Sequence, residues 1–284
     1  MRTLYLNGEY LPEVEAKISA FDRGFLFAEA AYEVTAVLDG KLVDFDRHME
    51  RLTRSLDGLG FDAGIDRDAL LLAHRQLVSR NSLSQGVIYL QISRGAGDRD
   101  FLPPQEPMTP TILMFAQDKN ILKNPADHAG QSVITVPDLR WQRGDLKTVQ
   151  LVYACSVKSR ARALGAGDAW LTRDGKVTES ASGNAFIVTR DNRLITTALS
   201  SDILSGITRG AVLTCAEMLD LTIEERPFDV AEAKAAIEAF STSASTFVMP
   251  VVRIDDIPVG TGALGPVTRR IWETYVDRAR RASI

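Results

Sequence analysis

Arg140-Trp141-Gln142-Arg143-Gly144-Asp145-Leu146-Lys147-Thr148 is the stretch on which the reading of this chain turns. A buried-type strand is expected before it, over residues 132–137, and a helix after it, over residues 148–164. Lys147 therefore stands at a strand-to-helix junction, a usable place for an active-site group. The chain holds 25 arginines and only 8 lysines, so a lysine there is a sparing choice. An amine becomes nucleophilic when desolvation or neighbouring cations depress its pKa, and Arg140 and Arg143 offer positive potential. Taken alone, a loop lysine is usually surface decoration, so its surroundings must decide.

Working toward the N-terminus, a polar stretch over about residues 118–131, with Asn124-Pro125, Gly130 and His128, reads as a linker. It divides the chain into an N-terminal domain, 1–118, a linker, 119–130, and a C-terminal domain, 131–284. In the first, Asn7-Gly8 and Asp39-Gly40 are two-residue hairpin signals, the second joining strands over 32–38 and 41–45. Helices are expected over about 46–60, where His48, Leu52, Leu56 and Leu59 keep helical spacing, and about 66–81. Strands over 87–94 and 111–117 follow, separated by a long glycine- and proline-rich loop, 95–104, of the kind that reaches over a site or a partner subunit. Beyond the opening stretch come strands over 169–172, 176–178, 185–189, 194–196, 222–226, 239–242 and 247–252. Helices are expected over 207–219 and 231–235 and from Pro266 onward. Strands and helices do not alternate regularly, so the class is α+β rather than doubly wound.

The bulk properties narrow the partners. A formal net charge of −4 gives no bulk reason to bind nucleic acid or an anionic membrane. No run approaches a membrane span and no secretory leader opens the chain, so a cytosolic protein is expected. Cys155 and Cys215, each in a helical stretch, read as small core residues, and three scattered histidines, His48, His74 and His128, support neither a metal site nor a catalytic triad.

Three other stretches could act with Lys147. Ser205-Gly206-Ile207-Thr208-Arg209 opens a helix, where backbone N–H groups and the Thr208 hydroxyl can converge on a phosphate; it reads equally as a plain N-cap at Ser205. In Val177-Thr178-Glu179-Ser180-Ala181-Ser182-Gly183-Asn184 a carboxylate sits among small residues and could meet a ring nitrogen, or could be a solvated turn glutamate. Ser241-Thr242-Ser243-Ala244-Ser245-Thr246 suits a close anion contact or a polar turn.

The order and spacing of these pieces resemble the fold-type IV pyridoxal-phosphate enzymes. That group includes D-amino acid aminotransferases, branched-chain aminotransferases and aminodeoxychorismate lyases. The resemblance runs through Leu6-Asn7-Gly8, Asp22-Arg23-Gly24-Phe25, Tyr32-Glu33-Val34, His48-Met49-Glu50-Arg51-Leu52, Arg94-Gly95, Asp145-Leu146-Lys147, Thr178-Glu179 with Asn184, Gly206-Ile207-Thr208-Arg209 and Met249-Pro250-Val251. It implies two α+β domains with pyridoxal 5′-phosphate in the cleft between them, and a homodimer in which the 95–104 loop reaches the neighbouring subunit's site.

By the same resemblance Lys147 carries the cofactor as a Schiff base and shuttles the proton, and Glu179 pairs with the pyridine nitrogen. Arg51, Ile207, Thr208, Ser243 and Ala244 hold the phosphate, Arg140 meets the ring hydroxyl and Leu204 packs on the ring face. Tyr32 and Val34 line the substrate pocket, with Ser182 and Ser245 placed beside it, and Arg99 takes the substrate α-carboxylate, for which a guanidinium fork is suited. Tyr32-Glu33-Val34 with Arg99 favours the D-amino acid subgroup, an amino donor and a 2-oxo acid being the partners. Phe101 stands where that subgroup commonly has histidine, and Ala28-Glu29-Ala30 where a glycine-acid-glycine run is usual. Apolar Phe101 keeps an (R)-selective amine or branched-chain L-amino acid aminotransferase in view; an aminodeoxychorismate lyase and a non-catalytic relative are separate alternatives, the latter opposed by the retained Lys147, Glu179 and Arg51.

Overall fold

A computed structural model of the chain describes residues 1–61, 63–122 and 130–284. The chain divides into two compact units: Met1–Asn120 with Leu146–Gln150 and Ala279–Ile284, and Ile121–Asp145 with Leu151–Arg278. Of the expected linker, residues 123–129, with Asn124-Pro125 and His128, lie outside the described residues.

The first unit is built from β1 (Thr3–Leu6), β2 (Glu9–Pro12), α1 (Arg23–Phe27), β3 (Ala30–Leu38), β4 (Lys41–Leu42), α2 (Phe45–Gly58), α3 (Arg67–Arg80), β5 (Gln85–Ser93) and β6 (Thr111–Asp118). Its strands form an antiparallel sheet in the order β2-β1-β6-β5-β3-β4. Asn7 and Gly8 (φ 49° and 100°) and Asp39 and Gly40 (φ 50° and 75°) make the two tight turns, since left-handed conformations at both positions match the twist of the strands they join. Asp66 caps α3, its Oδ1 accepting from the Asp68 and Ala69 N–H groups at 3.0 Å each. Phe45, Met49, Leu52 and Leu56 form one helical stripe on α2 that enters the core with Leu77, Ile88, Leu90 and Met114.

The second unit holds β7 (Gln131–Pro137), α4 (Val152–Ala163), β8 (Asp168–Arg173), β9 (Lys176–Ser180), β10 (Asn184–Val188), β11 (Arg193–Thr196), α5 (Ile207–Met218), β12 (Thr222–Glu225), α6 (Val230–Ala235), β13 (Glu238–Ser243), β14 (Phe247–Ile254), β15 (Ile257–Pro258) and α7 (Pro266–Ala282). Among the described residues the sheet order is β12-β11-β10-β13-β14-β7-β8-β9, with β15 beside β14. The β11–β12, β14–β7 and β7–β8 pairs are parallel and the others antiparallel. Trp170 and Phe228, edge to face at 6.2 Å, centre one core layer, and the stacked rings of Phe186 and Phe240 another. The elements form the α+β class expected from the sequence.

Two local expectations are corrected and one element is added. The helix expected from Thr148 begins at Val152, because Thr148 is drawn into an antiparallel bridge with Ala31 and only the residues beyond it are free to coil. Cys155 is exposed, α4 turning that position outward, whereas Cys215 is buried as expected. The short helix α1 was not anticipated; Asp22 caps it and Ala28 ends it in the left-handed conformation.

Candidate active site

In the first unit, residues 146–150 run beside the start of β3. The Tyr32 N–H donates to the Lys147 carbonyl (3.0 Å), the Val149 N–H to the Ala30 carbonyl (3.1 Å), and the Lys147 N–H to Ser55 Oγ of α2 (3.1 Å). The lysine backbone is thus bonded on both sides, and Nζ stands 4.0 Å from the centre of the Tyr32 ring. Among the described residues the lysine ion pairs belong to Lys158, Lys176 and Lys234, and the Lys147 amine is in none of them.

Side chains alternate along β3, so Tyr32 and Val34 share one face and Glu33 the other. On its face, Tyr32 stacks on Tyr89 at 5.5 Å and Tyr89 on Phe115 at 4.8 Å. Glu33, fully buried, meets α2: Arg51 Nε donates to Oε1 and Nη2 to Oε2, each at 2.8 Å, and His48 Nδ1 lies 2.6 Å from Oε2. Burial pushes the Glu33 carboxyl up, but the Arg51 guanidinium and the His48 ring together outweigh it and hold it well below the usual carboxylate range.

Arg99 is exposed, its guanidinium lying 5.4 Å from the Phe27 ring and 5.6 Å from the Phe101 ring. The loop carrying it is tied down by Arg23, buried, which donates to the carbonyls of Asp100 (2.7 Å) and Phe101 (3.2 Å) and to the Glu29 carboxylate. The acid of Ala28-Glu29-Ala30 is therefore a structural partner of Arg23 and of Arg94.

In the second unit, Glu179 lies within β9, one residue before its end, at 4% exposure, so the solvated-turn alternative falls. Its Oε1 accepts from Arg140 Nη1, and its Oε2 from Asn184 Nδ2 (3.1 Å) and from the Leu204 N–H (3.1 Å). Asn184 Nδ2 also reaches the Leu204 carbonyl at 2.9 Å, so Glu179, Asn184 and Leu204 are locked together. Arg140 forks onto Asp138, Nε to Oδ1 at 2.9 Å and Nη2 to Oδ2 at 2.7 Å. Burial pushes the Glu179 carboxyl up; Arg140 opposes this, and the nearby Asp138 charge adds to the rise. Arg143 forks onto Asp145. Both cations expected to supply potential to Lys147 are thus engaged by carboxylates, a correction to that expectation.

The N-cap of α5 is Gly206 rather than Ser205, and this cap residue has no side chain to bond the first N–H groups of the helix. A Cβ on Gly206 would fall 2.1 Å from Asn184 Oδ1, so the helix end with Ile207 and Thr208 packs tightly beside the Glu179 network. In the 243–246 turn, Ser243 Oγ lies 2.7 Å from Thr246 Oγ1 and 3.4 Å from Ser245 Oγ, with Ala244 between. Ser182, exposed, accepts from the Lys158 ammonium at 3.1 Å. Ser182, Ser243 and Ser245 line one cavity of about 100 Å³ with Lys158, Asp168 and Thr242. Within the first unit the structure groups Lys147 with Tyr32, and Arg51 with Glu33. Within the second it groups Arg140, Glu179 and Leu204, and separately Ser182, Ser243 and Ser245.

Sequence reasoning overlooked Ser55, the buried role of Glu33 and His48, and Asp138. The signals for the last three were present: an acid opposite in phase to Tyr32 and Val34, His48 three residues from Arg51 on one helix face, and the Asp-x-Arg spacing of 138 and 140.

The sequence profile described as amino-transferase class IV matches residues 30–254. This chain belongs to that family. As a class IV aminotransferase it is a pyridoxal-phosphate-dependent enzyme. It is similar to the D-alanine aminotransferase of Staphylococcus aureus (strain MSSA476), 34% identical over 277 residues covering 97% of each chain. It is also similar to that of Bacillus licheniformis, 34% identical over 276 residues, 95% of this chain and 94% of the relative. Among solved structures, a T.th. branched-chain amino acid aminotransferase with pyridoxamine 5′-phosphate superposes with a TM-score of 0.89 at 25% identity, over 98% of this chain and 94% of that one. The Escherichia coli branched-chain enzyme shares the fold, with a TM-score of 0.89 at 23% identity and the same coverage.

The residues of the aminotransferase fit the cofactor. A deeply buried carboxylate with a raised pKa is what a protonated ring nitrogen needs as a partner. A helix start opened by a glycine, whose place a Cβ could take only by displacing Asn184, suits a phosphate. A lysine amine outside the ion pairs found among the described residues suits an aldehyde.

Proposed function

We propose that this aminotransferase moves the amino group of a D-amino acid, such as D-alanine or D-glutamate, to a 2-oxo acid. The observation that carries the reading is the match to D-alanine aminotransferases along 97% of the chain. Beside it stand Tyr32 beneath the Lys147 amine and an exposed, preset Arg99.

Pyridoxal 5′-phosphate, when bound, supplies an aldehyde for amines and a ring that draws in the electrons left as a Cα proton departs. Lys147 holds it by the amine and then serves as acid and base at the substrate Cα. The Tyr32 ring, 4.0 Å from Nζ, limits the directions that amine can take. Glu179 holds the ring nitrogen's proton, steadied by Asn184 and the Leu204 N–H. Arg140 serves the ring hydroxyl and Leu204 the ring face. Arg51, oriented by Glu33, takes the phosphate with the Ile207–Thr208 helix end and the Ser243–Ala244 turn. Tyr32, Val34, Ser182 and Ser245 border the substrate, and Arg99 binds its α-carboxylate from the partner subunit of a homodimer, the working unit. Among the described residues no helix is long and apolar enough to cross a membrane, and the cytoplasm is the proposed location.

Phe101 in place of a polar residue supports a second reading, transamination of branched-chain L-amino acids or of (R)-amines. Purified enzyme with added cofactor is offered D-alanine, D-glutamate, L-leucine and (R)-1-phenylethylamine as donors and 2-oxoglutarate or pyruvate as acceptor, with products resolved by chiral chromatography. Transfer from the D-amino acids is expected. Transfer from L-leucine or the amine alone moves the assignment to the second reading, and pyruvate release from aminodeoxychorismate without transfer makes the protein a lyase.

A further inference from the structure

Arg140, Glu179 and Asp138 belong to a cluster with an odd number of charges. Arg173 pairs with Asp202 at its exposed end and also lies 3.4 Å from Asp138 Oδ2. Arg140 spends two of its nitrogens on Asp138, which is wholly buried and is bonded in addition by Thr178 Oγ1 at 3.0 Å. The third nitrogen of Arg140 reaches Glu179. Among the described residues two guanidinium groups thus face three carboxylates, and Glu179 is the buried one left with a single guanidinium nitrogen, so the cluster's unmatched negative charge falls to it. An unmatched buried charge is costly and is met either by taking up a proton or by gaining a cationic partner. Were Asp138 neutral, Arg140 would satisfy Glu179 alone and the carboxylate would need neither.

We propose that Asp138 is a positioning residue that neutralises Arg140, so that the Glu179 carboxylate stays short of one positive charge and keeps the cofactor's ring nitrogen protonated. The inference rests on the reading that Glu179 faces that nitrogen. The depressed Asp138 carboxyl agrees with it: burial pushes the group up, and the Arg140 fork outweighs burial, so Asp138 remains an anion. Removing the Asp138 charge leaves the guanidinium, the carboxylate and the ring N–H with one positive charge too many. The ring nitrogen's proton affinity then falls by about tenfold or more. Removing Arg140 as well restores the balance.

The test is nitrogen-15 NMR of the holoenzyme carrying cofactor labelled at the ring nitrogen, whose shift reports protonation whether or not the enzyme turns over. Glu179→Gln is expected to move the resonance toward the unprotonated position, and Asp138→Asn to move it the same way. The double variant Asp138→Asn with Arg140→Gln is expected to bring it back. If the asparagine variant does not fold, Asp138→Ser, which has no amide to press on the guanidinium, carries the same expectation. A protonated ring nitrogen in the Asp138 variant together with an unprotonated one in Glu179→Gln overturns the proposal while leaving the Glu179 reading intact. So does a double variant no closer to wild type than the single one, the result of a purely structural role. A nitrogen still protonated in Glu179→Gln overturns the Glu179 reading itself.

Discussion

Arg51 of α2 meets Glu33 of β3 in a two-bond fork, Nε to Oε1 and Nη2 to Oε2 at 2.8 Å each, with both side chains buried. The arginine proposed to hold the cofactor phosphate is therefore aimed by Glu33, the residue between Tyr32 and Val34, the two proposed to line the substrate pocket. Glu33→Gln keeps the shape but removes the charge, and breaking a buried pair from one side costs about 3–5 kcal/mol. Urea unfolding of the apoprotein at neutral pH checks this, and unchanged stability would show that the pair does not hold. The Glu33 carboxyl is depressed on folding, so its contribution is full above the ordinary value of 4.5 and is lost as pH falls below it. The variant should lose stability less steeply than wild type below that pH.

His74, buried in α3, donates through Nδ1 to the Leu70 carbonyl at 2.7 Å. Burial pulls its pKa down from 6.5 to about 4, so the folded state resists a proton that the unfolded chain accepts. Stability should therefore decline as pH falls from 6.5 toward 4, by about 3 kcal/mol in all for this one group. In His74→Gln that slope should flatten in the same pH window, as read by denaturant midpoints at half-unit steps.

Arg99 rests between Phe27 and Phe101 on a loop pinned by Arg23. Arg99→Ala should lower kcat/KM for D-alanine about 10- to 100-fold, the worth of a charged hydrogen-bonded contact, chiefly through KM. Equal kinetics in the variant would remove Arg99 from substrate binding. Phe101→His, which replaces one aromatic neighbour with a donor, should favour substrates with a free α-carboxylate over simple amines.

Gly206→Ala sets a methyl group 2.1 Å from Asn184 Oδ1. Asn184 must shift, loosening its bonds to Glu179 and Leu204, and overpacking of this kind costs about 1–3 kcal/mol. Cofactor retention on dialysis should fall more than the apoprotein melting temperature. A variant that keeps the cofactor as tightly as wild type would show that the helix end is not part of its cradle.

Much of this was legible in the sequence where local chemistry governs. Asn7-Gly8, Asp39-Gly40 and the Asp66 cap act through their nearest neighbours, and the turns and helix start they signal are found. The misread positions depend on partners distant in sequence. Thr148 has the look of a helix start until Ala31 bridges it, and Cys155 faces out because α4 packs through Ala154, Val157 and Ala161. Local sequence left Glu179 open between a ring-nitrogen partner and a solvated turn, because it does not reveal that Leu204 and Arg140 close over it with Asn184. Glu33 escaped notice for the same reason, being an ordinary acid until folding sets Arg51 against it, whereas Asp138 stands near Arg140 in the chain and its signal was there to be read.

The central claim is that the amine of Lys147 carries the coenzyme. Borohydride reduction of the cofactor-loaded protein, followed by proteolysis and mass spectrometry, tests it directly. The account predicts the reduced pyridoxyl mass on the peptide containing Lys147 and on no other lysine. A modification at any other lysine, or none in protein that still transfers amino groups, would contradict it.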